Sequence, residues 1–356
     1  MKRFLIVVGV LFLALTLAGL PFMGACAPAE PELVTLRIQC AYPRGDLSME
    51  GLAYFAEAAD KYSNGTLKVE VFAEPEIVGM FDVPDAVVDG TLDMAMDNGG
   101  FWIGRGLWVG GVEFGLPYGF LIPEEDTFIG SANEIRRFFF EDGLVDILRA
   151  EYEKQGVYFL DIHSYGPVPF LVATEAGANA FQGTVDDIQG LTIRTDGLWM
   201  EWHNNMGMTG VDMPPPDAYT QLQTGGLDAH IWDVSAYTGM GFEEVAPYWI
   251  HGEENDHAIG HIVVNLDVWN SLSAAHQEAL AKAGEEYWDK LLLDYEQAMK
   301  DVAALAAAGT ITEVWMSDAV LAHHQEVGFA LWDEVATWDA ACAEAVALVK
   351  AWRGVD

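Results

Sequence analysis

Between Val185 and Tyr237 the chain carries one arginine, Arg194, which ends the short run Leu191-Thr192-Ile193-Arg194 directly before Thr195-Asp196-Gly197. A guanidinium presents a planar fork that meets a carboxylate in two hydrogen bonds, which the point charge of a lysine cannot do. Such a side chain has two uses. It can bind the carboxylate of a ligand in a closed, dry cleft, where a charge-assisted pair gains strength, or it can bridge to one of the chain's own acids. Tyr42, Phe101, Trp102, Tyr219 and Tyr237 could stack on or hydrogen-bond to a ligand, and each is equally suited to a core. His163, at the end of an apolar run, can donate to a carboxylate oxygen or sit neutral and hydrogen-bonded. His251, His257 and His261, with Glu253, Glu254 and Asp256 between them, have metal-ligating side chains. They lack an HExxH pattern, and Gly252 and Gly260 disfavour a helix there. No GxSxG, no P-loop and no cysteine–histidine constellation is present, and no carboxylate pair stands out among 55 acidic residues.

The elements that would position these groups can be read from periodicity. Leu33 to Cys40 alternates as a strand, and a helix from about Ser48 to Tyr62 stops at Ser63-Asn64-Gly65. Thr66 to Phe72 is a second strand, Val83 to Asp89 a helix and Leu92 to Met96 a third strand. In such a βαβαβ unit ligands bind beyond the carboxyl ends of the strands, which places Tyr42, Asn98, Phe101 and Trp102 near a cleft. Glu134 to Gln155 reads as one or two helices, and Val157 to Ile162 and Val168 to Thr174 read as strands. A second α/β set follows: strand Leu191 to Arg194, helices Gly197 to Met206 and Asp217 to Gln223, and strands Leu227 to Ile231 and His261 to Leu266. Two α/β halves whose strands interleave in sequence suit two lobes joined by crossing hinge strands. From Ser271 to Ala307 apolar residues recur at helical spacing, giving either one long helix or two that break near Gly284. A last amphipathic helix, Ser317 to Arg353, is interrupted by Gly328.

With 55 acidic and 17 basic side chains among 356 residues the formal charge is −38, which excludes nucleic acid as a partner because phosphate binding needs clustered lysine and arginine. The acids are spread along the chain, as on a solvated surface. An anionic ligand would cross a repulsive far field before meeting local positive charge, for which Arg194 is the candidate. Residues 1–25 have a basic start and an apolar run and read as a signal peptide. Met23-Gly24-Ala25-Cys26 followed by residues 27–33 resembles a lipoprotein box with a tether, so Cys26 would carry a lipid anchor; simple secretion is the alternative. Cys40 and Cys342 are either paired or two buried thiols.

The run Asp187-Ile188-Gln189-Gly190-Leu191-Thr192-Ile193-Arg194, then Tyr219-Thr220-Gln221-Leu222-Gln223-Thr224-Gly225, then Leu227-Asp228 resembles the signature of the TRAP transporter substrate-binding proteins. Thr66 to Phe72, Asp82 to Met96 and Glu113 to Phe120 extend the resemblance over nearly the whole mature chain. Leu227 to Trp232 and Val245 to Gly252 are similar to the branch that binds 2-oxo and 2-hydroxy monocarboxylates. The resemblance implies an α/β, two-lobed fold of the type II periplasmic-binding-protein kind, with hinge strands and a long helix spanning both lobes. Lobe I is expected over 34–165 and 258–300, and lobe II over 166–257 and 301–356. It implies that Arg194 pairs with the acid's carboxylate and that Trp232 stands where the branch holds a cation through a tryptophan backbone. Ile231 replaces the glutamate ligand of that cation, and nothing polar stands in Pro167 to Leu171. These gaps count against bound Na⁺ or Ca²⁺, although Asp233 can supply one carboxylate. Asp212 and Asp228 read as structural. The implied role is a periplasmic or extracellular receptor that hands a small organic acid to a TRAP membrane permease and performs no chemistry. A secreted hydrolase using the same cleft, or a ligand-binding sensor for a signalling partner, are the alternatives.

Overall fold

The computed structural model describes residues 33–122, 127–168, 170–252 and 256–355. The signal segment, the tether to residue 32 and Cys26 lie outside them, as do Glu253 and Glu254. The described strands are β1 (Val34–Cys40), β2 (Leu67–Phe72), β3 (Met94–Asn98), β4 (Val157–Val168), β5 (Phe170–Ala173), β6 (Thr192–Arg194), β7 (Thr209–Val211), β8 (Ala229–Trp232), β9 (Tyr248–His251), β10 (Asp256–Asn265) and β11 (Thr312–Trp315). They divide between a 5-stranded sheet, ordered β2-β1-β3-β10-β4, and a 6-stranded sheet, ordered β11-β9-β5-β8-β6-β7.

In the first sheet β1 runs parallel to β2 and β3, while β10 is antiparallel to β3 and β4. In the second, β6 is parallel to β7 and β8, and β5 is antiparallel to β8 and β9. The chain therefore passes from the first sheet to the second where β4 gives way to β5, and returns where β9 gives way to β10. The parallel strands are joined through helices, which cover the sheet faces and permit strands such as β3 and β8 to be buried throughout.

Local chemistry sets the element ends. Asp46 caps the helix Leu47–Tyr62 by accepting from the backbone N–H of Ser48 and Met49, and the αL residues Asn64 and Gly65 follow its stop. The helix Ala274–Ala307 is a single 34-residue element, unbroken at Gly284. A Cβ at that glycine would strike the Asp161 side chain on β4, so the residue permits close helix–sheet approach. The same helix touches the elements beside both sheets: Tyr287 donates to the Ser48 carbonyl in the helix Leu47–Tyr62 at 2.9 Å, and Tyr295 donates to Asp233 Oδ2 at 2.6 Å.

Three expectations shift. The third strand begins and ends two residues later than expected, which puts Asp97 and Asn98 at its carboxyl end. The two apolar runs are separate strands as expected, but the first is longer, a 12-residue β4 that reaches Val168, and the second is β5. The last helix is two, Asp318–Val335 and Ala340–Arg353, and the break falls at Ala336 to Asp339 because Asp339 caps the second by accepting from Cys342 N at 2.7 Å. Gly328 is helical and lies tight against Tyr118 and Trp202. The final helix packs Trp352 on Phe138, ring centroids 4.5 Å apart, beside the first sheet. Cys40 and Cys342 are buried and unpaired.

Candidate ligand-binding cavity

The parallel strands of both sheets point their carboxyl ends at one place. Beyond β1 lie Tyr42 and Asp46, β3 ends at Asn98, β6 ends at Arg194 followed by Asp196, and β8 ends with Ile231 and Trp232 followed by Asp233. With Tyr165, Ala258, Phe114 and Trp199 they line a small cavity of about 40 Å³. The polar groups around it are closed off from solvent: Asn98 is 2% exposed and Arg194 1%.

On the first-sheet side the polar groups form a directed chain. Tyr165 donates to the Asp97 carbonyl at 3.1 Å, so the 2.6 Å contact between the two hydroxyls is a donation from Tyr42 to Tyr165. The Tyr42 oxygen in turn accepts from Asn98 Nδ2 at 3.0 Å. Burial lifts both phenols well above their usual pKa, so they remain neutral donors and acceptors.

On the second-sheet side Arg194 is fixed from several directions. Nε donates to the Met213 carbonyl at 3.0 Å, Nη1 to the Ile231 carbonyl at 3.3 Å and Nη2 to Asp212 Oδ1 at 3.1 Å, and the guanidinium lies over the Trp232 ring at 4.7 Å. A guanidinium has five N–H donors. Three are engaged, leaving one on each Nη nitrogen. Asp196 stands 3.7 Å from Nη1. Asp212 thus has the structural role expected for it, with burial lifting its carboxyl to about 6 against the pull of Arg194. Asp228 is structural too, accepting from Thr192 N at 2.9 Å.

Two further carboxylates face each other from opposite sheets. Asp46 Oδ2 accepts from Trp232 Nε1 at 3.0 Å, a hydrogen bond that crosses the cleft. Asp233 accepts from Ser235 and Tyr295. Burial lifts the Asp46 carboxyl, and burial together with the Asp46 charge lifts Asp233 to about 8. Backbone closes the rims beside them. A Cβ on Gly45 would lie 2.8 Å from the Gly239 carbonyl oxygen, and one on Gly100 3.1 Å from the Cα of Gly197, so glycine meets glycine across the cleft at both places.

Of the residues singled out in the sequence, Arg194, Trp232, Asp233, Asn98 and Tyr42 line the cavity. Phe101 lies just outside it, packed on Tyr42 with ring centroids 6.3 Å apart. The structure places four others elsewhere. Trp102 is core, donating to Asp97 at 3.0 Å. Tyr237 donates to the Ala246 carbonyl at 2.7 Å and packs on Phe170. Tyr219 sits in a separate surface groove with Pro43 and Met240 and donates to Glu244. His163 lies behind Tyr165, ring centroids 4.6 Å apart, and burial, then the His261 charge, hold its pKa well below the usual range. Asp46, Tyr165, Phe114, Trp199 and Asp196 line the cavity without having been expected there. For Asp46 an aspartate at a helix start just past a strand signals only a cap, so its place in the cavity was hidden.

The histidine and acid set separates, with His251 in the second sheet and His261 in the first; among the described residues no three His, Cys, Asp or Glu converge to hold a metal ion. His261 is instead clasped between Asp97 Oδ1 and Glu113 Oε1, each at 2.5 Å, and Tyr152 donates to the other Glu113 oxygen. Burial pushes its pKa down, but Glu113 and Asp97 raise it to about 10, so the ring is charged.

Two α/β lobes with a closed cavity between their strand ends define a solute receptor of the periplasmic-binding-protein class. The chain belongs to the bacterial extracellular solute-binding proteins of family 7, whose model matches residues 40–338. A monocarboxylate 2-oxoacid-binding periplasmic protein of Nostoc sp. is 24% identical over 332 residues, covering 90% of this chain and 84% of the relative. Among solved structures, a TRAP periplasmic solute-binding protein of Pseudoalteromonas atlantica with bound sodium and pyruvate superposes with a TM-score of 0.79 at 18% identity, covering 91% of this chain and 94% of that one. One from Rhodoferax ferrireducens with bound malonate gives 0.72 at 18% identity, covering 88% and 97%. Among the described residues no helix is long and apolar enough to cross a membrane.

Proposed function

We propose that this protein is the extracytoplasmic receptor of a TRAP-type transporter, that it captures a small carboxylic acid, and that Arg194 binds the carboxylate. The observation that carries this is a buried guanidinium at the wall of a closed cavity, rigidly held through three N–H groups and retaining one on each terminal nitrogen. Trp232 and Asp233 stand beside it, and Asn98 and Tyr42 complete the cage from the other lobe. We take lobe I as 34–165 with 258–300 and lobe II as 166–257 with 301–356, the final helix reaching back onto lobe I. Closure is then a hinge motion about the two strand crossings, stabilised by contacts a ligand makes only in the closed state. The likeness to receptors that hold pyruvate and malonate supports a small acid. The protein is a carrier and not an enzyme on this reading, lies in the periplasm or outside the cell, and is anchored through Cys26.

Binding of pyruvate, lactate, alanine and malonate measured by calorimetry tests the assignment. Arg194→Ala should cost about 2–5 kcal/mol, or about 30-fold to several thousand-fold in Kd, because a charged hydrogen-bonding partner is lost in a desolvated site. Arg194→Lys, which keeps charge and loses the fork, should fall between. An acid bound equally well by wild type and a folded Arg194→Ala variant would exclude Arg194 as its anchor.

A further inference from the structure

Resting on that reading, the charges of the cavity say more about the cargo. Asp46, Asp196 and Asp233 line it against one guanidinium, and that guanidinium already faces Asp212 at 3.1 Å and Asp196 at 3.7 Å. A plain carboxylate entering this dry space would add negative charge where acids already outnumber the cation, and burying unpaired like charges is costly. Positive charge arriving with the ligand would offset these acids. Among the described residues no three His, Cys, Asp or Glu side chains converge to hold a metal ion.

The carboxylates and rings of the cavity have the chemistry that suits an organic cation. Asp46 Oδ2 accepts from Trp232 Nε1 and Asp233 Oδ2 from Tyr295. A carboxylate oxygen accepts two hydrogen bonds, so each of these has room for one more. Aromatic rings wall the same space: Tyr42 and Trp232 meet edge to face with centroids 5.4 Å apart, and Phe114 and Trp199 lie 5.0 Å apart. Aromatic faces with buried carboxylates are the recurring means of holding an ammonium group, which gains from both the ring quadrupole and the charge.

We propose that the ligand is a small acid that also bears a protonated amine, with its carboxylate on Arg194 and its ammonium group between Asp46 and Asp233. Because Asp46 belongs to the first lobe and Asp233 to the second, the ammonium group would tie the lobes together and favour the closed form. The raised pKa of Asp233 fits this arrangement: without a cation the site relieves its own repulsion by holding a proton.

The test is calorimetry of the soluble receptor against matched 2-oxo, 2-hydroxy and 2-amino acids of three to six carbons, in chelator-treated, sodium-free buffer and again with calcium or sodium added. The expected result is that the best 2-amino acid binds at least tenfold tighter than its 2-oxo and 2-hydroxy partners without added metal. Asp46→Asn and Asp233→Asn should each erase that preference, with circular dichroism confirming that they fold. A 2-oxo or 2-hydroxy acid that binds tighter than its amino partner, with or without added metal, would overturn the proposal. If that binding fell with Arg194→Ala, the acid-receptor reading would stand and only the amine would be wrong. If no acid of any series bound, both would fall.

Discussion

The buried ion cluster around His261 offers the sharpest quantitative expectation. Replacing His261 by Gln removes the one positive charge between Asp97 and Glu113 while keeping size and hydrogen-bonding capacity. Its folded pKa of about 10 lies above the ordinary 6.5, so its contribution to stability is complete below pH 6.5 and is withdrawn as pH rises through 10. A gap of that size is worth about 5 kcal/mol in total, which agrees with the roughly 3–5 kcal/mol expected for breaking a buried pair. Worked along the titration, the wild-type advantage over His261→Gln is about 4 kcal/mol at pH 7, about 3 kcal/mol at pH 8 and about 1 kcal/mol at pH 9. Urea unfolding of both proteins, followed by tryptophan fluorescence at each pH, yields this difference free of the general effect of net charge. The cluster also holds the end of β3 that presents Asn98, so the variant should bind ligand more weakly. A stability difference that stays constant from pH 6.5 to 9.5, or a Gln variant as stable as wild type, would refute a charged imidazole in this core.

Gly239→Ala should weaken binding of the best carboxylate ligand by about 5- to 150-fold, because overpacking costs roughly 1–3 kcal/mol and falls only on the closed form; an unchanged Kd would remove the Gly45–Gly239 contact from closure. Gly239 has φ −136°, so alanine fits its backbone without strain and the ligand-free melting temperature should hold. Gly284→Ala should destabilise by about 1–3 kcal/mol despite a helix-propensity gain of about 1 kcal/mol, since the new methyl strikes Asp161, itself paired with Arg136. A raised melting temperature would show that the helix can lift away freely. Reducing agent should leave the melting temperature unchanged, and thiol reagents should label Cys40 and Cys342 only on unfolding.

The strand and helix order was readable because alternation and helical spacing are local. Val34–Cys40, Leu67–Phe72 and the long helix fall close to where the pattern puts them. The breaks were harder. Gly328 looked like an interruption, yet it is buried under Trp202, and the true break depends on the cap at Asp339. Arg194 and Trp232 were accessible through motif order. Asp46 was not, since an aspartate at a helix start is explained by capping alone, and its second contact is with Trp232, 186 positions away. The clasp on His261 was equally hidden, because Glu113 lies 148 positions distant. Aromatic type alone could not separate Tyr42, which faces the cavity, from Tyr237, whose hydroxyl is engaged by Ala246.

The rims of the cavity meet as bare main chain, Gly45 against Gly239 and Gly100 near Gly197. Main chain has the same outline whatever lies inside. If the receptor shuts this way around each acid, it would show one shape for every passenger, and a membrane partner reading that shape would learn that the vessel is loaded without learning with what. On the proposed function, choice of passenger would rest with a few inward side chains, and the signal of readiness with glycines. The two can diverge independently, so a change of diet need not involve a change of docking partner.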